Sequence, residues 1–177
     1  MKILLHVCCG PCSTASVERL REKGYDVVLF FPNSNIYPEG EWEKRLENAR
    51  KIAELHGLEL VVGEYDHSAW REFVRGLENE KEGGARCLRC FEFNLAKTAK
   101  KARELGIENF TTTLTVSRFK NSSQIAEVGR VVGARIGVNF LEHDFKKQGG
   151  FEKSVELAKK FDLYRQNYCG CEFSLRN

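Results

Sequence analysis

Seven cysteines fall in three places along the chain: Cys8, Cys9 and Cys12, then Cys87 and Cys90, then Cys169 and Cys171. Thiolates bind metals, attack electrophiles and exchange disulfides. In Cys8-Cys9-Gly10-Pro11-Cys12-Ser13 the thiols sit at the junction of an apolar run and a helix. A helix N-terminus favours the thiolate form. Arg86-Cys87-Leu88-Arg89-Cys90 contains a Cys-x-x-Cys that puts two sulfurs on one helix face. Alone this motif fits a zinc half-site, a thioredoxin-like dithiol or half of an iron–sulfur site. With Cys8 and Cys9 it supplies four thiolates, the number a cubane cluster takes. Four thiolates would also hold structural zinc. A closed zinc site, however, typically staples a loop or finger and has no need of the catalytic edge of an α/β core. In Tyr168-Cys169-Gly170-Cys171 the two cysteines can bridge only through a small, strained ring. Strained disulfides are the labile, redox-active kind. This pair reads as a switchable dithiol, with a surface thiol pair or extra metal ligands as alternatives. Cys12 is left over, either a ligand of a second metal or a buried thiol.

Other candidates surround these clusters. Asp66 and Asp144 each follow an apolar run, where a carboxylate could bind a second iron or donate a proton; a cap or a surface ion pair is the ordinary alternative. Arg118 and Lys120, beside Thr115 and Ser117, could hold phosphates, and Arg165 lies near the last cysteines. His6 alternates with apolar residues and reads as a satisfied core histidine. His67 reads as a capping or solvent residue. Tyr37 and Trp70 could stack on a base, although aromatics more often pack in cores.

The elements that must position these residues alternate between strand and helix. Apolar or β-branched runs at residues 3–7, 27–31, 60–62, 110–114 and 138–141 predict five strands. Helical spacing predicts a helix capped by Ser13 or Thr14 and ending before Gly24, and others over about 41–56, 69–77, 88–102, 125–136 and 151–158. The pattern is a single domain over 1–177, a doubly wound, mainly five-stranded parallel sheet of Rossmann-like, ATP-pyrophosphatase (HUP-type) character, with a cysteine-bearing tail over about 162–177. Open sheets of this kind bind ligands at the carboxyl edge, where the first cluster falls. A Gly-rich dinucleotide fingerprint, a Walker motif and a pyrophosphate loop are all missing from the sequence; cysteines stand where the last would be.

Composition narrows the setting. With 28 Lys and Arg against 25 Asp and Glu, the net charge of +3 permits a nucleic-acid partner without demanding one. No stretch is apolar and long enough to span a bilayer, and the first residues lack a signal-peptide pattern. The chain reads as cytoplasmic, without a membrane partner. In a reducing cytosol seven cysteines point to metal or redox chemistry before structural disulfides.

Taken together, Cys8-Cys9-Gly10-Pro11-Cys12-Ser13, the Gly-Ala-Arg-Cys-x-x-Cys ending at Cys90, the Phe-Thr-Thr-Thr-Leu starting at Phe110, and Tyr164-Arg165-Gln166-x-Tyr168-Cys169-Gly170-Cys171 resemble the cobalamin-independent epoxyqueuosine reductase family. The resemblance implies reduction of the epoxide of epoxyqueuosine, at the wobble position of transfer RNA, to the alkene of queuosine. It implies a 4Fe-4S cluster on Cys8, Cys9, Cys87 and Cys90, a redox-active pair at Cys169 and Cys171, and additional mononuclear iron near Cys12 and an Asp. The partners it implies are a transfer RNA bearing epoxyqueuosine in its anticodon loop and a low-potential, ferredoxin-like electron donor. Three other readings compete: a metal-free thiol-disulfide oxidoreductase, a transfer-RNA sulfur-transfer enzyme, and a zinc-binding RNA module.

Overall fold

The five apolar runs pair side by side as one parallel sheet. The computed structural model describes residues 1–175. The strands are β1 (Lys2–His6), β2 (Asp26–Phe31), β3 (Leu60–Val62), β4 (Asn109–Thr112) and β5 (Asn139–Phe140), in the order β3-β2-β1-β4-β5. The helices are α1 (Gly10–Glu22), α2 (Glu39–His56), α3 (His67–Phe73), α4 (Ala85–Glu104), α5 (Ser122–Ile136) and α6 (Gly150–Lys160). From β1 the chain winds outward through β2 to β3, then returns to β4 on the other side. The direction of winding therefore reverses between β1 and β4, the place where such sheets open a crevice at their carboxyl ends.

The central strand is buried on both faces, so its side chains feed two cores in alternation. Ile3, Leu5 and Val7 pack with residues of α1, α2 and α6, while Leu4 packs with Phe30, Phe110 and the apolar stripe of α4 and α5. On α4 that stripe is Phe91, Leu95, Ala99 and Ala102, a 3.6-residue period turned inward.

Most elements shift by a few residues from the expectation, and at α1 and the end of β4 the cause is local hydrogen bonding. Helix α1 is capped by Cys9, whose sulfur accepts from the Cys12 N–H. Ser13 and Thr14 lie inside the first turn, with their hydroxyls donating back to the carbonyls of Gly10 and Pro11. The Thr run leaves the sheet after Thr112, because the Thr112 hydroxyl accepts from the Leu114 N–H and starts a 3₁₀ turn, Thr113–Val116. A threonine hydroxyl competing for the backbone overrides β-propensity here. Helix α3 starts at His67 and stops at Phe73, short of the expected 77. No helix among the described residues is long and apolar enough to cross a membrane.

Candidate metal centre and substrate cleft

The turn leaving β1 brings Cys8, Cys9 and Cys12 together, with their sulfurs all within 4.8 Å of one another. The Cys9 and Cys12 sulfurs are 2.7 Å apart, those of Cys8 and Cys9 4.0 Å. From the neighbouring strand end, the Thr113 hydroxyl accepts from the Cys8 N–H at 3.1 Å and donates to the Cys8 sulfur at 3.2 Å. Burial alone would raise the Cys9 thiol, but hydrogen bonds from Cys12, Cys8, Gln166 and the Cys12 N–H outweigh it and hold the group well below the ordinary thiol range. The same proximity to Cys8 and Cys9 holds Cys12 well above that range. Cys9 is thus the thiol of the group that loses its proton most readily, as suits a metal ligand. Gly10 makes the turn possible: a Cβ there would meet the Asn48 Cβ at 2.5 Å, so only glycine lets α1 lie this close to α2.

His6, directly below, is fully satisfied, as expected of a core histidine. One ring nitrogen bonds the Thr112 hydroxyl and the other the Asn33 side-chain carbonyl, both at 2.8 Å. Asn33 also donates to the Val7 carbonyl at 2.7 Å. The three residues lock the ends of β1, β2 and β4 together beneath the cysteines.

Cys87 and Cys90 lie on successive turns of α4. The Cys87 sulfur accepts from the Gly83 N–H at 3.2 Å. Burial raises both thiols, and the nearby Cys169 and Cys171 raise them further. Arg86 donates to the carbonyls of Leu77, Glu78 and Glu80 and so ties the preceding loop to the start of α4.

The cysteine-bearing tail is fastened by α2. Arg45, buried, donates to the Cys169 carbonyl at 2.7 Å and the Tyr168 carbonyl at 3.1 Å, and its Nε pairs with Glu41 at 2.9 Å. The Tyr164 hydroxyl donates to Glu41, the Tyr37 N–H to the Gly170 carbonyl, and the Tyr168 hydroxyl to the Tyr37 carbonyl. Cys171 is buried beside Trp70 and Val74, and Cys169 faces the cleft.

These segments enclose two adjoining cavities of about 370 and 320 Å³. The first holds Cys8, Cys12, Cys90, Cys169, Arg118, Lys120 and Arg165; the second holds Cys87, Cys90, Cys169, Cys171 and Lys120. Cys9 is buried behind Cys8 and Cys12. The structure thus brings every cysteine, with Arg118, Lys120 and Arg165, to one cleft. The tight sulfur group among the described residues is the triad containing Cys12, with Cys87 and Cys90 further along the cleft.

The basic residues differ in placement. Lys120 turns inward: burial disfavours its charge, but Cys169, Cys8 and Cys12 raise its pKa above the ordinary lysine range. The Arg118 guanidinium lies 4.3 Å from the Phe151 ring centre. Neither Asp66 nor Asp144 lines either cavity. Asp66 caps α3 by accepting from the Ala69 N–H at 3.0 Å. Asp144 faces Lys146 and Lys147 in a separate recess beyond β5. His67 is neither cap nor solvent residue; it stacks on Tyr37 and bonds Glu172 at 2.9 Å. Trp70 is fully buried. Arg45, Thr113, Gln166 and Asn33 escaped sequence reasoning. Thr113 and Gln166 lie within the motifs quoted above without a role, and Arg45 left the trace of a charge three residues after Trp42 and four before Ala49, on the inward face of its helix.

Comparisons with known proteins give the family and the fold. The family model described as "Epoxyqueuosine reductase QueH" matches residues 3–177. Epoxyqueuosine reductase QueH of Streptococcus pyogenes serotype M1 is 41% identical over 180 residues, covering 98% of this chain and 70% of the relative. That of Thermotoga maritima is 40% identical over 176 residues, covering 98% and 90%. Among solved structures, the U34-tRNA thiolase NcsA from Methanococcus maripaludis, with its [4Fe-4S] cluster, superposes with a TM-score of 0.62 at 13% identity, over 99% of this chain and 62% of that one. A predicted subunit of a tRNA methyltransferase from Methanocaldococcus jannaschii gives 0.59 at 16% identity, over 90% and 74%. These two share the fold, whereas the match along nearly the whole sequence decides the family: the chain belongs to the epoxyqueuosine reductase QueH family.

Proposed function

We propose that the chain is an epoxyqueuosine reductase that converts the epoxide of epoxyqueuosine in transfer RNA to the alkene of queuosine, with the cysteine cleft as its active site. The observation carrying this reading is the convergence of all seven cysteines on one cleft at the carboxyl edge, in a chain of this family. Reduction consumes two electrons and two protons and releases one water. A dithiol closing to a disulfide releases two electrons and two protons, so Cys169 and Cys171 match the stoichiometry. A low-potential, ferredoxin-like protein would restore the dithiol.

Cys8, Cys9, Cys87 and Cys90 are the proposed ligands of a 4Fe-4S cluster, with Cys12 the proposed ligand of an additional iron. The donor set fits: soft sulfurs grouped within 4.8 Å, two of them in the wall of a cavity. Bound there, iron and sulfide supply one-electron chemistry and Lewis acidity toward an epoxide oxygen. The chain's own groups do the remainder. Lys120 places a positive charge where negative charge develops as the ring opens. Arg118 and Arg165 stand at the wall to receive phosphates. Asp66 and Asp144, which line neither cavity, are not assigned the proton. The wobble nucleotide would enter the cleft splayed from its stack, as single-stranded loop readers require.

Anaerobic purification with iron and acid-labile sulfide counts, followed by turnover of epoxyqueuosine-bearing transfer RNA with a low-potential reductant, tests the reading. Brown protein with about four irons and four sulfides per chain, converting that RNA, is the expected result. A protein that stays colourless after reconstitution and takes only zinc would overturn it.

A further inference from the structure

Phe119 is the most exposed large apolar residue of those described, at 85% of its full accessibility. Its position is not that of an ordinary surface aromatic. It lines both cavities of the cysteine cleft, so it stands where the two open to solvent. The backbone that carries it is fixed. The Phe119 N–H donates to the Ser117 hydroxyl at 3.2 Å, the Lys120 N–H to the Ser117 carbonyl at 3.4 Å, and the Lys146 ammonium to the Lys120 carbonyl at 2.8 Å. Its neighbours point elsewhere, Arg118 over Phe151 and Lys120 inward toward the cysteines. The turn therefore presents one bare ring at the lip, with a cation on either side in sequence. Among the described residues the ring pairs with no other aromatic.

We propose that Phe119 is a stacking platform for a base of the transfer-RNA loop, holding the strand at the lip while one nucleotide enters the cleft. This rests on the reductase reading above. Every base has a π-face, so such a platform gives affinity and registration with little dependence on which base it meets. Arg118, next to the ring and exposed, suits a phosphate flanking the stacked base.

The test uses reconstituted protein and an anticodon stem-loop carrying epoxyqueuosine, with 2-aminopurine replacing the base beside it. Binding by wild-type protein should change the 2-aminopurine emission as its stacking partner changes. Phe119→Ala should raise Kd about 5- to 150-fold, the size of one lost base–aromatic stack. KM should rise with it, while kcat at saturating RNA stays near wild type. Phe119→Trp should restore affinity and emission; Phe119→Leu, apolar but without a π-face, should not. Unchanged melting temperatures would show that the variants fold. Phe119→Ala binding within twofold of wild type, or Phe119→Leu matching wild type, would overturn the inference while leaving the reductase intact. Wild-type protein that neither binds nor reduces the stem-loop would overturn the reductase reading itself, and this inference with it.

Discussion

The Arg45 guanidinium donates to the backbone carbonyl of Cys169 at 2.7 Å, from within the apolar layer between α2 and the tail. One buried cation thus ties two backbone carbonyls of the tail to α2, beside the bonds that Tyr37 makes with Gly170 and Tyr168. Glu41 balances the charge, and the Tyr164 hydroxyl completes the carboxylate's shell. Gly170 lies against this clamp: its φ is +142°, and a Cβ would meet an Arg45 nitrogen at 3.0 Å.

Arg45→Met should therefore leave Glu41 buried without its partner and free the tail. Removing one member of a buried ion pair costs about 3–5 kcal/mol, or roughly 6–20 °C of melting temperature for a domain of this size. Arg45→Lys should recover only part of this, since one ammonium cannot serve two carbonyls and a carboxylate in the guanidinium's geometry. Thermal melts and the rate of Cys169 alkylation measure both effects; faster alkylation in the variants is expected as the segment loosens. Alkylation at the wild-type rate would show that Arg45 does not position the pair.

Serine substitutions separate the sulfur roles. Cys8, Cys9, Cys87 and Cys90 variants should lose iron and brown colour. Cys169→Ser and Cys171→Ser should keep both while losing turnover, since neither is assigned to the cluster. Iron content read beside activity distinguishes a ligand from a redox thiol. Full iron in Cys87→Ser, or loss of iron in Cys171→Ser, would redraw the ligand set. The close grouping of Cys12 with Cys8 and Cys9 makes Cys12→Ser the informative case: it should lower iron by a smaller step than Cys9→Ser.

Gly10 offers a test of the turn that carries the triad. Gly10→Ala drives a methyl into Asn48, and overpacking of this kind costs about 1–3 kcal/mol. The strain falls between Cys9 and Cys12, so iron retention should fall with stability. Gly40→Ala, in the first turn of α2 and with open space around its Cβ, should be neutral or stabilising by up to about 1 kcal/mol. Equal melting temperatures for the two variants would refute the close-approach argument.

The sheet was legible because each strand is an apolar run bounded by turn residues, and buried parallel strands need that pattern. The cysteines were legible as chemistry because of their type and spacing. What stayed hidden depends on contacts between distant segments. Arg45 reaches the tail across 124 positions in sequence and Thr113 reaches Cys8 across 105. No local periodicity encodes such pairs. Asp66 and Asp144 were drawn toward the site by a sound rule about strand ends, yet a carboxylate beside a helix start or a lysine pair is claimed locally first. The end of β4 shows the same competition: the threonines read as strand, but one hydroxyl turned the chain toward the cysteines.

His56 and His143, both outside the cleft, contribute to the expected pH dependence of stability, in the same direction as the buried His6. Burial lowers each pKa from 6.5, and Arg21 acts further on His56, Lys23 and Arg19 on His143. In the unfolded chain both take up protons near the ordinary value, while in the folded protein they stay neutral to lower pH. Over that interval the unfolded state binds more protons, so stability rises with pH and falls as the pH drops below 6.5. The loss levels off once the folded-state histidines also protonate. Melting temperature should therefore hold from pH 8 to about 7 and decline toward pH 5.5. A double variant, His56→Gln with His143→Gln, should decline less steeply whatever its starting stability, because glutamine does not titrate. Parallel curves for the two proteins would place the acid sensitivity in other groups.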